Sequence, residues 1–246
     1  MVRDRPALNA WLTARPIAHR GLHGKGSVEN SIAAAVAAIA KGYAIECDVQ
    51  CTKDGEAVVF HDFALDRLTG ASGDIGAFPA ATITRIVYRD GLGTIPTLRD
   101  FLTTVGGRVP VFVEIKSRLD TDTRLVAPLA ELVAAYAGPL ALQSFHPQVL
   151  AECRRRRVAC PLGLVASAEG GQTPFAGLAR IESIAADFLA WRAEDLPHVV
   201  ARICRSRMPV LAWTVRDEAA RAAALRCADQ IIFEGFEPRL VAEAEC

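Results

Sequence analysis

The sequence has no excess of charge of either sign: 28 lysines and arginines balance 28 aspartates and glutamates across 246 residues. That balance removes the electrostatic footprint of a nucleic-acid or polyanion binder. Long hydrophobic runs are missing as well, since the Ala-rich stretch from Ile32 to Ala40 stops at Lys41-Gly42, far short of a bilayer span. Near the N-terminus Arg3, Asp4, Arg5 and Arg15 interrupt the apolar residues, leaving no continuous core of the kind a signal peptide needs. These absences predict a cytoplasmic protein without stable membrane insertion. Seven cysteines, at 47, 51, 153, 160, 204, 227 and 246, form no Cys-x-x-Cys pair and are odd in number, which favours reduced thiols over a disulfide framework or a zinc site. No Ser/Gly/Pro-rich linker, internal repeat or low-complexity tract divides the chain. Residues 1–246 therefore read as one domain, close to the roughly 250 residues of a closed β/α barrel.

Short β-branched or apolar runs alternate with Ala/Leu/Arg-rich segments of helical period, the mark of repeated βα units around a parallel sheet. The candidate strands are 16–19, 43–49, 57–61, 110–115, 140–143, 162–165, 183–186, 210–214 and 230–233. That is one more than a (β/α)8 TIM barrel holds. Only Cys51 to Glu56 separate the second from the third, whereas a parallel crossover needs about a dozen residues, so Asp54-Gly55 must turn an antiparallel hairpin. Eight barrel strands remain. Helices are expected at 31–41 and 123–136, where apolar residues recur at spacings of three and four, and at 147–157, 196–206, 217–226 and 238–245. The interval 63–108 lacks a clear core strand and reads as a small insertion after the His61 hairpin.

Chemistry in such barrels sits at the carboxyl ends of the strands. There the sequence places His19 and Arg20, then Glu46 and Asp48, then His61 and Asp62, then Glu114 and Lys116. Glu46 and Asp48 are two apart on a strand and share one face, with Cys47 on the other. If that face is the barrel interior, two carboxylates converge and Glu114 adds a third, raising one another's pKa unless a cation neutralises them. Three oxygen donors without a soft ligand suit one divalent cation, Mg2+ or Ca2+. The competing reading is an outward-facing strand, or an ion-pair network with Lys116 and Arg20. A phosphodiester reaction needs a cationic clamp, a proton acceptor and a proton donor, and His19 and His61 form the natural pair for the last two. Lys116, beside a carboxylate-bound ion, can meet a substrate phosphate as a point charge.

The assembled motifs resemble the glycerophosphodiester phosphodiesterase family. They are His19-Arg20-Gly21, Val28-Glu29-Asn30-Ser31, Ile45 to Val49, Thr52 to Gly55, Val58 to Asp62, Leu65 to Thr69, Ile95 to Leu98, Val113 to Lys116 and Trp213-Thr214-Val215, in the family's order over nearly the whole chain. The resemblance implies His19 and His61 as catalytic residues and Arg20 as the phosphate-binding arginine. It further implies Glu46, Asp48 and Glu114 as ligands of a divalent metal, Lys116 as a further substrate contact, Glu29 as a supporting residue near the site, and Trp213 as an aromatic residue at the alcohol end of the pocket. The implied activity is metal-dependent hydrolysis of a small-molecule glycerophosphodiester to glycerol 3-phosphate and an alcohol. The chain departs from the family at Val28, where proline is usual, at Arg216, where asparagine is common, and at Phe233-Glu234-Gly235-Phe236-Glu237-Pro238, where the family tends to show Thr-Asp-x-Pro.

Three alternatives stay open at this level: a phosphoinositide-specific phospholipase C-like lyase, a lysophospholipase D acting on lipids, and a catalytically silent phosphate-ester binding module. His23 and His198 read as surface histidines, Gln143 and Ser144 as possible pocket lining, and Arg154 to Arg157 as a solvated helix end. Oligomeric state, preferred alcohol and the division of labour between the histidines are not legible.

Overall fold

The computed structural model describes residues 10–24, 26–118, 122–168 and 174–240. Its barrel strands are β1 (Ile17–Ala18), β2 (Ala44–Cys51), β4 (Val111–Ile115), β5 (Leu140–Ser144), β6 (Leu162–Ala166), β7 (Phe188–Arg192), β8 (Val210–Val215) and β9 (Gln230–Phe233). All eight pair in parallel, and β1 closes the ring by pairing with β9 on one side and β2 on the other. β3 (Ala57–Val59) runs antiparallel on the outer edge of β2, with Val49 opposite Val59 and Cys51 opposite Ala57. The six-residue spacing could not be bridged in any other way, and the hairpin expected at Asp54-Gly55 is present.

Helices wrap this sheet: α1 (Ala10–Thr13), α2 (Ile32–Ala40), α3 (Ala80–Ile83), α4 (Leu98–Val105), α5 (Val126–Ala135), α6 (Pro147–Arg155), α7 (Pro174–Ser183), α8 (Val199–Arg205) and α9 (Glu218–Ala224). Their ends follow ordinary capping chemistry. Ser31, Thr97 and Asp217 accept the backbone N–H three residues on, and Gly106 closes α4 in the left-handed conformation. Within 63–108, α4 packs against α2 on the barrel. The stretch before it builds a separate apolar cluster of Leu65, Ile75, Ile83, Tyr88 and Ile95 on Val58 and Phe60.

Two sequence expectations fail. The run 183–186 is no strand: α7 ends at Ser183, Ala185 turns with φ of +48°, and the N–H of Ala186 still bonds to Ile181. The apolar residues there close a helix, and the strand follows at Phe188-Leu189-Ala190-Trp191-Arg192, where the absence of β-branched residues hid it. Residues 238–240 are not helical, and 241–245 lie outside the described residues.

The interior of the barrel changes character along its axis. At the amino ends of the strands Ile17, Ala44, Phe112, Ala141, Phe188, Leu211 and Ile232 pack with Leu12 of α1 as a dry layer. Gly163 belongs to this packing, because a Cβ there would come within 2.2 Å of the Phe188 ring. Two residues further along the same inward-facing rows stand Glu46, Glu114, Gln143, Trp213 and Glu234. The alternation that fills the floor with hydrocarbon therefore brings polar and ionisable side chains into the mouth on β2, β4, β5, β8 and β9, while β6 and β7 keep Val165 and Ala190 there.

Candidate active site

Glu46 and Asp48 lie on β2 and Glu114 on β4, strands in direct register, with Asp48 opposite Glu114. All three are buried, and one carboxylate oxygen from each lies within 4.8 Å of the others. Lys116 donates to Glu114 and lies 2.9 Å from Asp48 Oδ1, while Arg20 Nε stands 3.3 Å from Asp48 Oδ2. Asn30 completes the Asp48 environment: its amide donates to Oδ2 at 2.8 Å and its carbonyl oxygen accepts the Asp48 backbone N–H. Burial disfavours the Asp48 charge, but Lys116 and Arg20 outweigh it and hold the group below the ordinary carboxylate range.

Glu46 differs. Burial and the neighbouring Asp48 charge push it up to about 8. Its Oε2 accepts the Arg20 backbone N–H at 2.9 Å, but its buried Oε1 has no hydrogen-bond partner among the described residues. A buried carboxylate oxygen left bare is costly. The set of three oxygen donors, with one buried oxygen of Glu46 unpartnered among the described residues, fits a hard divalent cation.

The two histidines are held alike, each by a carboxylate on Nδ1. His19, just after β1, meets Glu234 Oε2 at 2.6 Å, and its Nε2 lies 4.0 Å from Glu46. Burial opposes a charge on His19, yet Glu234 and then Glu46 overcome it and raise its pKa, while the same bond lowers Glu234 to about 2. His61, two residues past β3, meets Asp62 Oδ1 at 2.7 Å, and its backbone carbonyl accepts a bond from Gln50 on β2. A carboxylate on Nδ1 fixes one tautomer and leaves Nε2 as the exchanging nitrogen.

Arg20 is shaped by its surroundings. It adopts φ of +56°, a conformation that costs a non-glycine residue of order 1 kcal/mol and here lets its N–H reach Glu46. Gly21, which follows, presses so close to Ala34 of α2 that a Cβ would lie 2.8 Å away. The Arg20 Nη1 donates to Glu29 at 2.8 Å, while its buried Nε, beside Asp48, lacks a well-angled acceptor among the described residues. Glu29 is itself held by Arg67. Trp213 stands above the apolar floor, its indole N–H donating to Ala190 and its ring edge-to-face with Phe145 at 5.3 Å.

The structure thus brings His19, Arg20, Glu29, Glu46, Asp48, Glu114 and Lys116 into one connected network, with His61 near enough to lower Asp48. Sequence reasoning missed Glu234, which appeared only as a departure from the family's last loop. Its position directly after β9, at a strand's carboxyl end, was the available signal. Asn30 and Arg67 were noted within motifs without a role. His198 is half-buried rather than on the surface, stacked on Trp191 at 4.6 Å and capping α8. The arginine run at the end of α6 is partly engaged, Arg154 pairing with Asp187 and Arg155 and Arg156 with Glu152.

Residues 19–234 match the model of the glycerophosphoryl diester phosphodiesterase family. A glycerophosphodiester phosphodiesterase of Caldanaerobacter subterraneus subsp. tengcongensis is 31% identical over 159 residues, 61% of this chain and 65% of that relative's length. One from Bacillus subtilis is 28% identical over 232 residues, covering 82% of this chain and 77% of the relative. Among solved structures, an Oleispira antarctica phosphodiesterase in complex with the product sn-glycerol-3-phosphate superposes with a TM-score of 0.80 at 24% identity, covering 91% of this chain and 93% of its own. A glycerophosphodiester phosphodiesterase from Thermotoga maritima gives 0.75 at 24% identity, covering 88% and 92%. The barrel, the carboxylate cluster at its mouth and a family match running from the first site histidine to the carboxylate that holds it lead to one conclusion: the chain belongs to the glycerophosphoryl diester phosphodiesterase family, a family of phosphoric diester hydrolases.

Proposed function

We propose that the protein hydrolyses glycerophosphodiesters to glycerol 3-phosphate and an alcohol, with His19 and His61 as the general acid/base pair. The observation that carries this reading is the site's symmetry. Two imidazoles, each pinned at Nδ1 by a carboxylate, flank three buried carboxylates on adjacent strands. Glu46, Asp48 and Glu114 would hold one divalent cation, Mg2+ or Ca2+, which when bound supplies Lewis-acid polarisation of phosphoryl oxygens. Arg20 and Lys116 clamp the nonbridging oxygens, and Glu29 keeps the Arg20 guanidinium turned toward them. One histidine withdraws a proton from the nucleophile and the other returns one to the leaving alkoxide through Nε2. Trp213 walls the alcohol side of the pocket. The product named in the Oleispira antarctica complex supports a small-molecule substrate of this class. No described helix is long and apolar enough to cross a membrane, and a cytoplasmic setting is part of the proposal.

The test is release of glycerol 3-phosphate from glycerophosphocholine, glycerophosphoethanolamine and glycerophosphoglycerol, with and without chelator. Turnover should follow a bell-shaped pH profile and be lost on chelation and in His19→Ala and His61→Ala. An inositol phosphate product instead, or turnover indifferent to both histidines, would refute the proposal.

A further inference from the structure

The motif Leu65-Asp66-Arg67-Leu68-Thr69 is absorbed by none of the roles above. Leu65 and Thr69 are fully buried, and the Thr69 hydroxyl donates to the Leu65 carbonyl, closing a turn seated in the apolar cluster beside β3. Arg67 projects from that turn with its side chain 46% exposed. Four bonds hold its guanidinium. Nε and Nη2 donate to the two oxygens of Asp62, at 2.5 and 3.0 Å, and Nη1 and Nη2 donate to those of Glu29, at 2.9 and 2.7 Å. Each carboxylate passes the constraint inward: Asp62 to His61 Nδ1 at 2.7 Å, and Glu29 to Arg20 Nη1 at 2.8 Å.

One planar group therefore spans the gap between the loop after β1, which carries Arg20 and Glu29, and the arm after β3, which carries His61 and Asp62. Without it the two carboxylates would face each other as like charges, and each could turn away from the residue it orients. Burial disfavours both charges, but the guanidinium holds Glu29 and Asp62 below the ordinary carboxylate range. A lysine could not substitute, since an ammonium offers a point charge where this contact uses two edges of a fixed fork.

We propose that Arg67 is a positioning residue that braces both halves of the site at once, setting His61 through Asp62 and Arg20 through Glu29. It touches neither the carboxylate cluster nor His19. The inference rests on the roles proposed for His61 and Arg20. Removing each carboxylate alone should disturb one parameter: Asp62→Asn lowers kcat, while Glu29→Gln raises KM and weakens inhibition by glycerol 3-phosphate. Removing Arg67 should disturb both.

The experiment measures kcat, KM and the glycerol 3-phosphate inhibition constant for the full chain on the fastest of the three glycerophosphodiesters. The variants are Arg67→Ala, Arg67→Lys, Asp62→Asn, Glu29→Gln and the double variant Arg67→Ala/Asp62→Asn, with His61→Ala and Arg20→Ala as references. Arg67→Ala should lose about ten- to a hundredfold in kcat/KM through both parameters, the usual scale for groups that orient ligands, and Arg67→Lys should recover little of it. Added guanidinium ion should restore part of the kcat of Arg67→Ala while leaving Asp62→Asn unaffected, and the double variant should have the kcat of Asp62→Asn. A merely structural arginine would give neither rescue nor non-additivity. Wild-type kinetics in Arg67→Ala, or fully additive losses without rescue, overturn the brace while the reference variants remain inactive. Full activity in His61→Ala and Arg20→Ala would instead overturn the reading on which it rests.

Discussion

The two ends of the barrel interior use the same eight strands and the same inward-facing rows, yet obey opposite rules. At the amino end Phe112 packs edge-to-face with Phe188 at 5.8 Å and against Trp11 at 5.7 Å, over a fully buried Leu12. Nothing there requires water or a partner ion. Two residues later along β2 and β4, Glu46 and Glu114 are equally enclosed, and Glu46 carries an oxygen without a partner among the described residues. The floor maximises dispersion contacts and apolar burial, whereas the mouth encloses ionisable groups, and at Glu46 the desolvation is repaid only in part. Apolar floor and ionisable mouth are thus separated by about one pair of residues along β2, β4 and β9.

The sharpest way to break this comparison is Glu46→Gln. Turnover should fall about a thousandfold or more, on the scale of the several kcal/mol a bound cation contributes to a phosphoryl transition state. Because burial and the neighbouring Asp48 charge raise the Glu46 pKa, its ionised form opposes folding when no cation is bound, so the amide should leave Tm unchanged or raise it. Added Mg2+ or Ca2+ should raise Tm in the wild type and not in the variant. A large drop in cation-free Tm would show that the mouth contributes to stability as the floor does.

Phe188→Ala should do the reverse, removing about 3–5 kcal/mol of unfolding free energy in denaturant titrations while the folded fraction keeps its KM. Gly163→Ala comes next, at about 1–3 kcal/mol, because the new methyl collides with the Phe188 ring. Combining it with Phe188→Leu should recover part of the loss, and simple additivity would show that the collision is not the cause.

The smallest effect concerns Glu234. Its folded pKa lies near 2 against an ordinary 4.5, chiefly through its bond to His19. A depressed carboxylate stabilises the fold above its ordinary value and loses that contribution as pH falls through the folded one. The Tm advantage of the wild type over Glu234→Gln, worth about 1 kcal/mol at neutral pH, should therefore shrink steadily below pH 4.5. A pH-independent difference would mean that the pair contributes through packing alone.

Much of this was open to reading in the chain. The short Asp54-Gly55 connection forced the hairpin, and strand ends rich in His, Glu and Asp placed the mouth of the barrel. Glu46 and Asp48 fell on one face because strand side chains alternate. What escaped were contacts between residues far apart in sequence. Nothing local marks Glu234 as the partner of His19, 215 positions away, and Arg67 stood in its motif without a role. The strand at 188–192 was missed because apolar residues just before it close a helix, and short apolar runs carry no period that separates the two.

By itself the sequence determined which residue types stand at which strand ends, since period-2 alternation and turn chemistry act within a few residues. It also determined that the fold is a closed β/α barrel, because eight apolar strands joined by amphipathic helices bury their faces best in a ring. Only the tertiary structure decided which carboxylate holds which imidazole, which oxygen of Glu46 is left bare, and that Arg67 spans two loops. Those outcomes depend on distances set by closure of the whole ring, and no short stretch of chain contains that information.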